Sequence, residues 1–205
     1  MADNAFAPET ACGAILRGGG PMDNGADCYR KFLNGDDNGI VEIIRDYKDG
    51  LILYLNSITG NMGAAEELME YTFFKLVTKK PKFNGKSLFK TWLYAIGRNA
   101  ATDSFRKRTK YADQPIDDLD GIKDEEDIER NYLIEEQKQH LYNAMEKLNP
   151  DYRQALCLTF FENFSNEETA QIMKKTRRQI ENILYRAKQS LKSELEKEGF
   201  EYERL

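Results

Sequence analysis

Two closely spaced helix starts between residues 165 and 188 restrict what this chain can fold into. Ser165 and Glu168 have the spacing of a capping box, and Thr176 and Gln179 repeat that spacing a short distance later. In a capping box the hydroxyl accepts a hydrogen bond from the first helical turn, and the longer side chain accepts one from the backbone N–H of the cap residue. The sequence therefore predicts a short helix, a tight turn and a second helix, which is the layout of a helix-turn-helix.

The second predicted helix has a single apolar stripe. Its apolar residues recur at the i, i+3, i+4 and i+7 spacing, at Ile180, Ile183, Leu184, Ala187 and Leu191. The other faces carry long hydrogen-bond donors that suit base edges and phosphates in a major groove, namely Arg177, Arg178, Gln179, Asn182, Arg186 and Lys188. The alternative interpretation is a solvated helix hairpin with a basic face.

Charge is segregated along the chain. The formal net charge of −5 argues at first against a nucleic-acid partner, but it averages a net +6 over residues 28–112 and a net −8 over residues 113–140. Residues 174–192 add seven bases against the lone Glu181. Two basic segments separated by an acidic one are the pattern expected of a protein with two nucleic-acid contact surfaces.

Several classes of protein are disfavoured by composition. The three cysteines include no CxxC pair and His140 is the only histidine, so neither a disulfide framework nor a zinc site is supported. Cys157 lies in the apolar run 156–161 and is predicted to be a small core residue. With no apolar run of membrane-spanning length and no signal peptide, the expected location is the cytoplasm.

The predicted fold is all-α, with two small helical domains joined by an acidic linker. We assign residues 1–27 to a flexible leader, 28–112 to a first domain, 113–135 to the linker and 136–205 to a second domain. We hypothesise that residues 1–21, which end in Arg-Gly-Gly-Gly-Pro, are a tag, a cloning scar or an over-extended start.

Apolar periodicity predicts the helices of both domains. In the first domain it indicates a buried helix over Gly39–Thr59, interrupted or bent near Gly50, and further helices over Ala64–Val77 and Ser87–Lys110. In the second, a helix over Ile128–Leu148 stops at Asn149-Pro150. Aromatic residues alternate with bases across residues 79–110, a composition that suits single-stranded nucleic acid. Trp92 and Tyr94, however, are expected in the core.

In several segments the chain resembles the extracytoplasmic function sigma factors, small two-domain promoter-specificity subunits of bacterial RNA polymerase. Ala65–Lys75 is similar to the polymerase-binding helix of that family, and Phe89-Lys-Thr-Trp-Leu-Tyr-Ala-Ile-Gly-Arg-Asn99 is similar to its Phe-x-x-Trp-Leu-x-x-Ile-Ala-Arg-Asn segment. Leu148–Arg153 and Ser165–Lys188 resemble its promoter-binding domain. The turn of the helix-turn-helix usually contains a glycine in this family, and Lys174 stands there instead.

The resemblance implies a role for each surface and for the partners. The first domain would bind bacterial core RNA polymerase through Glu67, Glu70 and Phe74. It would capture bases of the −10 promoter element through a loop and the helix after it, with Lys82, Asn84, Lys86, Lys90, Asn99 and Arg106. The second domain would bind the −35 element with Thr176, Arg177, Arg178, Gln179, Asn182 and Arg186.

Further expectations follow from the same resemblance. An anti-sigma factor is expected to hold the chain inactive, and the acidic linker would lie in the polymerase cleft, unless it is only a solvated tether. We predict no catalytic residue, cofactor or metal, and no direct membrane insertion. Two other functions stay open from the residues alone: a stand-alone helix-turn-helix regulator, and a helical adaptor that binds a protein through Ala64–Val77.

Overall fold

The computed structural model describes residues 23–111 and 140–197, with side chains for all of these except 107–111. Every element in this part of the chain is helical, which confirms the predicted all-α fold. The helices are α1 (Asn24–Leu33), α2 (Asn38–Thr59), α3 (Met62–Lys79), α4 (Phe89–Tyr111), α5 (140–146), α6 (Pro150–Leu156), a π-helical turn (Cys157–Phe161), α7 (Asn166–Met173) and α8 (Arg177–Lys197). The described residues do not include 1–22, the whole predicted linker, most of the predicted Ile128–Leu148 helix or 198–205.

The first helix begins earlier than the sequence suggested. Asp23 caps α1, with its Oδ1 accepting a hydrogen bond from the backbone N–H of Ala26 at 3.3 Å. Its Oδ2 accepts another from the N–H of Phe89, the first residue of α4, at 2.6 Å. Residues 24–27 were predicted as leader but are helical, so the start of the fold moves from residue 28 to residue 23. The helix is too short for its periodicity to show in the sequence.

The long helix α2 is continuous through Gly50, so the predicted interruption there is wrong. Leu51, Tyr54 and Leu55 follow it and have no exposed surface. A Cβ at Gly50 would lie 2.5 Å from the hydroxyl of Tyr94, well inside van der Waals contact. The glycine is therefore required by the close approach of α4 to α2, because a larger residue would collide there.

An aromatic cluster closes one end of the first helical unit, α1–α4. The rings of Tyr29, Phe83, Phe89 and Trp92 have centroids 5.2–5.7 Å apart. Trp92 is partly buried in this cluster and Tyr94 is fully buried, as predicted for both. Aromatic pairs at such distances contribute about 0.5–1.5 kcal/mol each beyond the area that they bury.

The second helical unit, residues 140–197, has a capped helix boundary at Asn149-Pro150. The side chain of Asn149 accepts a hydrogen bond from the N–H of Asp151 at 2.9 Å, and Pro150 occupies the first turn of α6. The predicted stop at Asn149-Pro150 is thereby confirmed. The apolar stripe of α8 is confirmed too: its members are buried or partly buried, at Ile180, Ile183, Leu184, Ala187 and Leu191.

The two helical units pack directly against each other. Helix α7 lies on α4, and both α6 and the π-helical turn lie on α2. Buried residues of the two units form one continuous apolar cluster. The exposed surfaces of both units therefore belong to a single packed body of helices.

Candidate nucleic-acid and protein interfaces

Both predicted capping boxes are present in the helix-turn-helix formed by α7 and α8. At α7 the hydroxyl of Ser165 accepts from the N–H of Glu168 at 3.3 Å, and the Glu168 carboxylate accepts from the N–H of Ser165 at 2.9 Å. At α8 the N–H of Gln179 donates to the Thr176 hydroxyl at 3.2 Å, and Gln179 Oε1 accepts from the N–H of Thr176 at 2.7 Å. These bonds fix where each helix begins, and thus the angle at which α8 is presented.

The turn between α7 and α8 has a lysine in a left-handed backbone conformation. Lys174 has φ 53° and ψ 45°, and its N–H donates to the carbonyls of Ala170 and Gln171. Residues with a Cβ are disfavoured in this conformation by roughly 1 kcal/mol, because the Cβ approaches the following carbonyl oxygen.

We expect Lys174→Gly to raise the free energy of unfolding by about 1 kcal/mol, since glycine adopts this conformation without that strain. Chemical denaturation monitored by circular dichroism measures the change. Gln189→Gly, placed within α8, is the matched control and is expected to lower stability by about the same amount. A destabilising Lys174→Gly would contradict the strained-turn interpretation.

The exposed face of α8 differs in detail from the predicted set. Arg178, Asn182 and Arg186 are exposed, opposite the buried stripe. The guanidinium of Arg177 is instead paired with Glu167 of α7 and with Glu181, the latter at 2.8 Å. The side-chain oxygen of Gln179 is engaged in the α8 cap. Three of the six predicted −35 residues therefore already have intramolecular partners, namely Thr176, Arg177 and Gln179.

The sequence analysis did not include one exposed residue of α8, Tyr185, among the candidate binding residues. Tyr185 is 68% exposed, the largest value among the exposed large apolar residues of the described chain. It lies one turn after Glu181 and next to Arg186, outside the apolar stripe. The sequence could have indicated this residue, because its position places it on the polar face of the helix. A tyrosine on that face is not explained by packing in the core.

The loop between α3 and α4 holds three of the predicted −10 residues together. The Tyr29 hydroxyl donates to the carbonyl oxygen of Pro81 at 2.8 Å, and the ring of Phe83 packs on Phe89 and Trp92. This anchoring leaves the polar side chains of the loop exposed at Lys82, Asn84 and Lys86. A cavity of about 300 Å³ lies beside them, lined in part by Tyr29, Leu33, Phe83 and Asn84.

The remaining predicted −10 residues lie apart from this loop along α4. The ammonium of Lys90 is bound to Glu162 of the second unit, with Nζ 2.9 Å from Oε2. Asn99 is partly buried, and Arg106 is exposed near Asp103 at 3.9 Å. Because a helix rises 1.5 Å per residue, Arg106 lies roughly 24 Å from Lys90 along α4. The structure therefore brings Lys82, Asn84 and Lys86 together, but not the full set of six.

The predicted polymerase-binding residues share one exposed face of α3. Glu67, Glu70 and Phe74 are all exposed, and Phe74 has 62% of its surface accessible. Tyr71, 53% exposed, lies between them and was not among the predicted residues. We call these four residues the α3 face. A cleft of about 600 Å³ adjoins it, lined by residues of α3 and of the distal half of α4, including Tyr71 and Phe105.

Neither described cysteine has the properties of a reactive thiol. Burial raises the pKa of Cys157 to about 12, and burial together with Glu42 raises the pKa of Cys28 to about 11. Within residues 23–111 and 140–197, no group of three or more acidic, cysteine or histidine side chains is arranged to hold a metal ion. None of the helices described is long and apolar enough to cross a membrane.

Comparison with known families agrees with this two-unit arrangement. The family model for sigma-70 region 2 matches residues 43–111, and the model for sigma-70 region 4 matches residues 138–191. The first match lies within α2–α4, and the second includes the helix-turn-helix.

Similar curated proteins and solved structures extend the comparison. The chain is 30% identical over 154 residues to the ECF RNA polymerase sigma factor SigM of Bacillus subtilis, covering 75% of this chain and 93% of SigM. It is 28% identical over 166 residues to the sigma factor YlaC of the same organism, covering 78% of this chain and 94% of YlaC.

Two solved structures share the fold. The sigma factor RpoE of Bartonella quintana, in complex with the anti-sigma factor NepR, gives a TM-score of 0.62 at 23% identity, covering 80% of this chain and 97% of that one. CnrH, in complex with the cytosolic domain of CnrY, gives 0.61 at 17% identity, covering 84% and 97%. By these matches, the chain belongs to the family of extracytoplasmic function (ECF) RNA polymerase sigma factors.

Proposed function

We propose that this sigma factor binds bacterial core RNA polymerase in the cytoplasm and directs it to promoters that are contacted by both helical units. The observation that carries the proposal is the exposed donor face of α8, with Arg178, Asn182 and Arg186 opposite a buried stripe. Arginine and asparagine on one exposed helical face can donate to guanine and adenine edges in a major groove. The capped turn before α8 orients this face, which supports contact with the −35 element.

The loop that contains Lys82, Asn84 and Lys86 is the proposed contact with the −10 element. An exposed amide between two lysines, beside a cavity of about 300 Å³, has the chemistry to bind an unstacked base and its flanking phosphates. Arg106, exposed at the far end of α4, would extend the contact along the strand. Asn99 is partly buried and Lys90 is engaged by Glu162, so both are weaker candidates here than the loop residues.

The α3 face is the proposed contact with core polymerase. Its exposed aromatic rings, flanked by two carboxylates, resemble the composition of a protein-binding surface, in which aromatic residues carry much of the affinity. In this proposal the polymerase performs the chemistry and this chain supplies promoter recognition. An anti-sigma factor is the further partner that we propose, because RpoE is found in complex with the anti-sigma factor NepR.

We expect Phe74→Ala to weaken binding to core polymerase by at least tenfold, since exposed aromatic residues at the centre of an interface often contribute 2 kcal/mol or more. Titration of core polymerase with the fluorescently labelled chain measures the dissociation constant. Val41→Ala is the matched control, because Val41 is 61% exposed but lies on α2. Equal affinities for the two variants would place the polymerase contact elsewhere.

A further inference from the structure

A carboxylate of the second helical unit is enclosed by the first. Glu162 follows the π-helical turn, and its side chain is 10% exposed. Its Oε2 accepts a hydrogen bond from the Tyr94 hydroxyl at 2.6 Å and lies 2.9 Å from the ammonium of Lys90. The same ammonium donates to the backbone carbonyl of Glu162 at 2.8 Å. Lys90 and Tyr94 both belong to α4, so this cluster joins the two units.

Aromatic rings and a glycine surround this ion pair. The Lys90 ammonium lies 4.7 Å from the centroid of the Phe164 ring, and that ring contacts Tyr94 edge-on at 5.0 Å. A Cβ at Gly50 would lie 2.6 Å from the Glu162 carboxylate oxygens. Burial, the charge of Glu162 and the hydrogen bond to it raise the pKa of Tyr94 well above its ordinary value, so its hydroxyl stays a donor. The Glu162 carboxylate is hydrogen-bonded and ion-paired, and its loss leaves the partly buried ammonium of Lys90 without a counter-charge.

Two smaller polar contacts join the same units. The Thr91 hydroxyl donates to Glu168 Oε1 at 3.0 Å, and Arg153 Nε donates to the carbonyl of Ser57 at 2.6 Å. Neither contact couples two opposite charges, because Thr91 and the Ser57 carbonyl are neutral. The Lys90–Glu162 pair, by contrast, joins two opposite charges across the units, so loss of its carboxylate leaves the Lys90 charge uncompensated.

This packed arrangement is incompatible with simultaneous contact of both promoter elements, an argument that rests on the function proposed above. Elements named −10 and −35 are separated by about 25 base pairs, or roughly 85 Å at 3.4 Å per base pair. The two units are in direct contact, with α7 on α4. Residues 112–139, which join them, can span at most roughly 100 Å when fully extended. The connection is long enough for the units to separate, and the proposed function requires it.

We propose that Glu162 is the latch of a closed state: enclosed by Lys90 and Tyr94, it holds the second unit on α4 until the units separate to bind promoter DNA. Opening breaks the ion pair and frees the Lys90 ammonium. The fraction of open chains limits the apparent affinity for any partner that binds only the open form. Weakening the latch therefore raises that affinity.

A distance measurement between the units tests the latch without relying on the proposed function. Spin labels are attached to cysteines placed at Glu66 of α3 and Gln189 of α8, both exposed, in a chain that carries Cys12→Ser. The native Cys28 and Cys157 are buried. In the chain with Glu162 unaltered, we expect one short distance between the two labels. In Glu162→Ala, we expect a second population with a longer distance, at least tenfold larger than in the unaltered chain. Glu162→Gln should give an intermediate result, because the amide still accepts hydrogen bonds but carries no charge.

Controls separate the latch from a general loss of structure. Glu196→Ala removes an exposed carboxylate that pairs with Lys192 at 3.7 Å within α8, and should leave the distances unchanged. If Glu162→Ala lowers the helix content, the charges of the pair are exchanged instead, with Lys90→Glu and Glu162→Lys. Each single change should lengthen the distance between the units. The double change should restore the short distance. An unchanged distance in folded Glu162→Ala, or no recovery in the exchanged pair, overturns the latch.

Binding to core polymerase distinguishes failure of the latch from failure of the proposed function. If the function and the latch both hold, both chains bind polymerase through the α3 face, which is exposed in the closed state, and Glu162→Ala still lengthens the distances between the units. If the distances lengthen but neither chain binds polymerase, the latch stands and the proposed function fails. If polymerase binds both equally and the distances do not change, the function stands and the latch fails.

Discussion

Gly39→Ala is expected to destabilise the first helical unit by at least about 3 kcal/mol, in the range of severe core changes. A Cβ at Gly39 would lie 2.2 Å from the carbonyl oxygen of Cys28 and 2.8 Å from the backbone nitrogen of Phe32. Both atoms belong to the backbone of α1, so no side-chain rotation relieves the overlap. Helix α1 must move away from α2, and this separates the buried Tyr29 and Phe32 from their neighbours.

Gly63→Ala is the matched control for this change. Gly63 lies near the start of α3, where a Cβ would meet only the side-chain oxygen of Asn61 at 3.5 Å, an ordinary contact. Alanine is favoured over glycine in a helix by about 1 kcal/mol, so this variant should be neutral or more stable. Thermal and urea unfolding measure both variants. Equal stabilities would show that α1 and α2 do not approach as closely as described.

The second large effect is expected from removing the donors of α8. Arg178→Ala combined with Asn182→Ala should lower the affinity of the reconstituted holoenzyme for its promoter by a hundredfold or more. Each bidentate contact between a side chain and a base edge contributes about 1–3 kcal/mol. The two changes remove one arginine contact of the kind made to guanine and one asparagine contact of the kind made to adenine. Electrophoretic mobility measurements at one fixed salt concentration provide the comparison, because phosphate contacts are strongly salt-dependent.

A control on the same helix tests whether base contacts are responsible. Lys192→Ala combined with Lys197→Ala removes two exposed cations near the end of α8, away from the exposed donors. These changes should reduce affinity for all duplexes by a similar and smaller factor. Promoter discrimination lost equally in both double variants would contradict base contact by Arg178 and Asn182.

Local signals in the sequence predicted the helix boundaries well. The capping boxes at Ser165 and Thr176, and the stop at Asn149-Pro150, depend on residues within four positions of each other. Such patterns need no knowledge of the tertiary structure. The all-α fold and the stripe of α8 followed from the same kind of evidence.

Contact between distant segments explains how the structure differs from the sequence analysis at Gly50, Lys90 and Arg177. Gly50 resembles a helix breaker locally, but Tyr94 and Glu162 approach it from elsewhere in the chain. From the sequence alone, Lys90 is a candidate DNA-binding residue, but in the structure its ammonium is paired with Glu162. Arg177 is likewise engaged by Glu167 across the turn. A single sequence does not reveal which charges are paired over such separations, so the site predictions needed the structure.

Run-off transcription with core polymerase tests the central claim most directly. The template is the promoter region of the operon that encodes this chain, and reactions are compared with and without the protein. We predict a transcript with a defined start that appears only when the protein is present. No such transcript, together with nanomolar binding of promoter duplex by the protein alone at physiological salt, would contradict the proposed function and favour a stand-alone helix-turn-helix regulator.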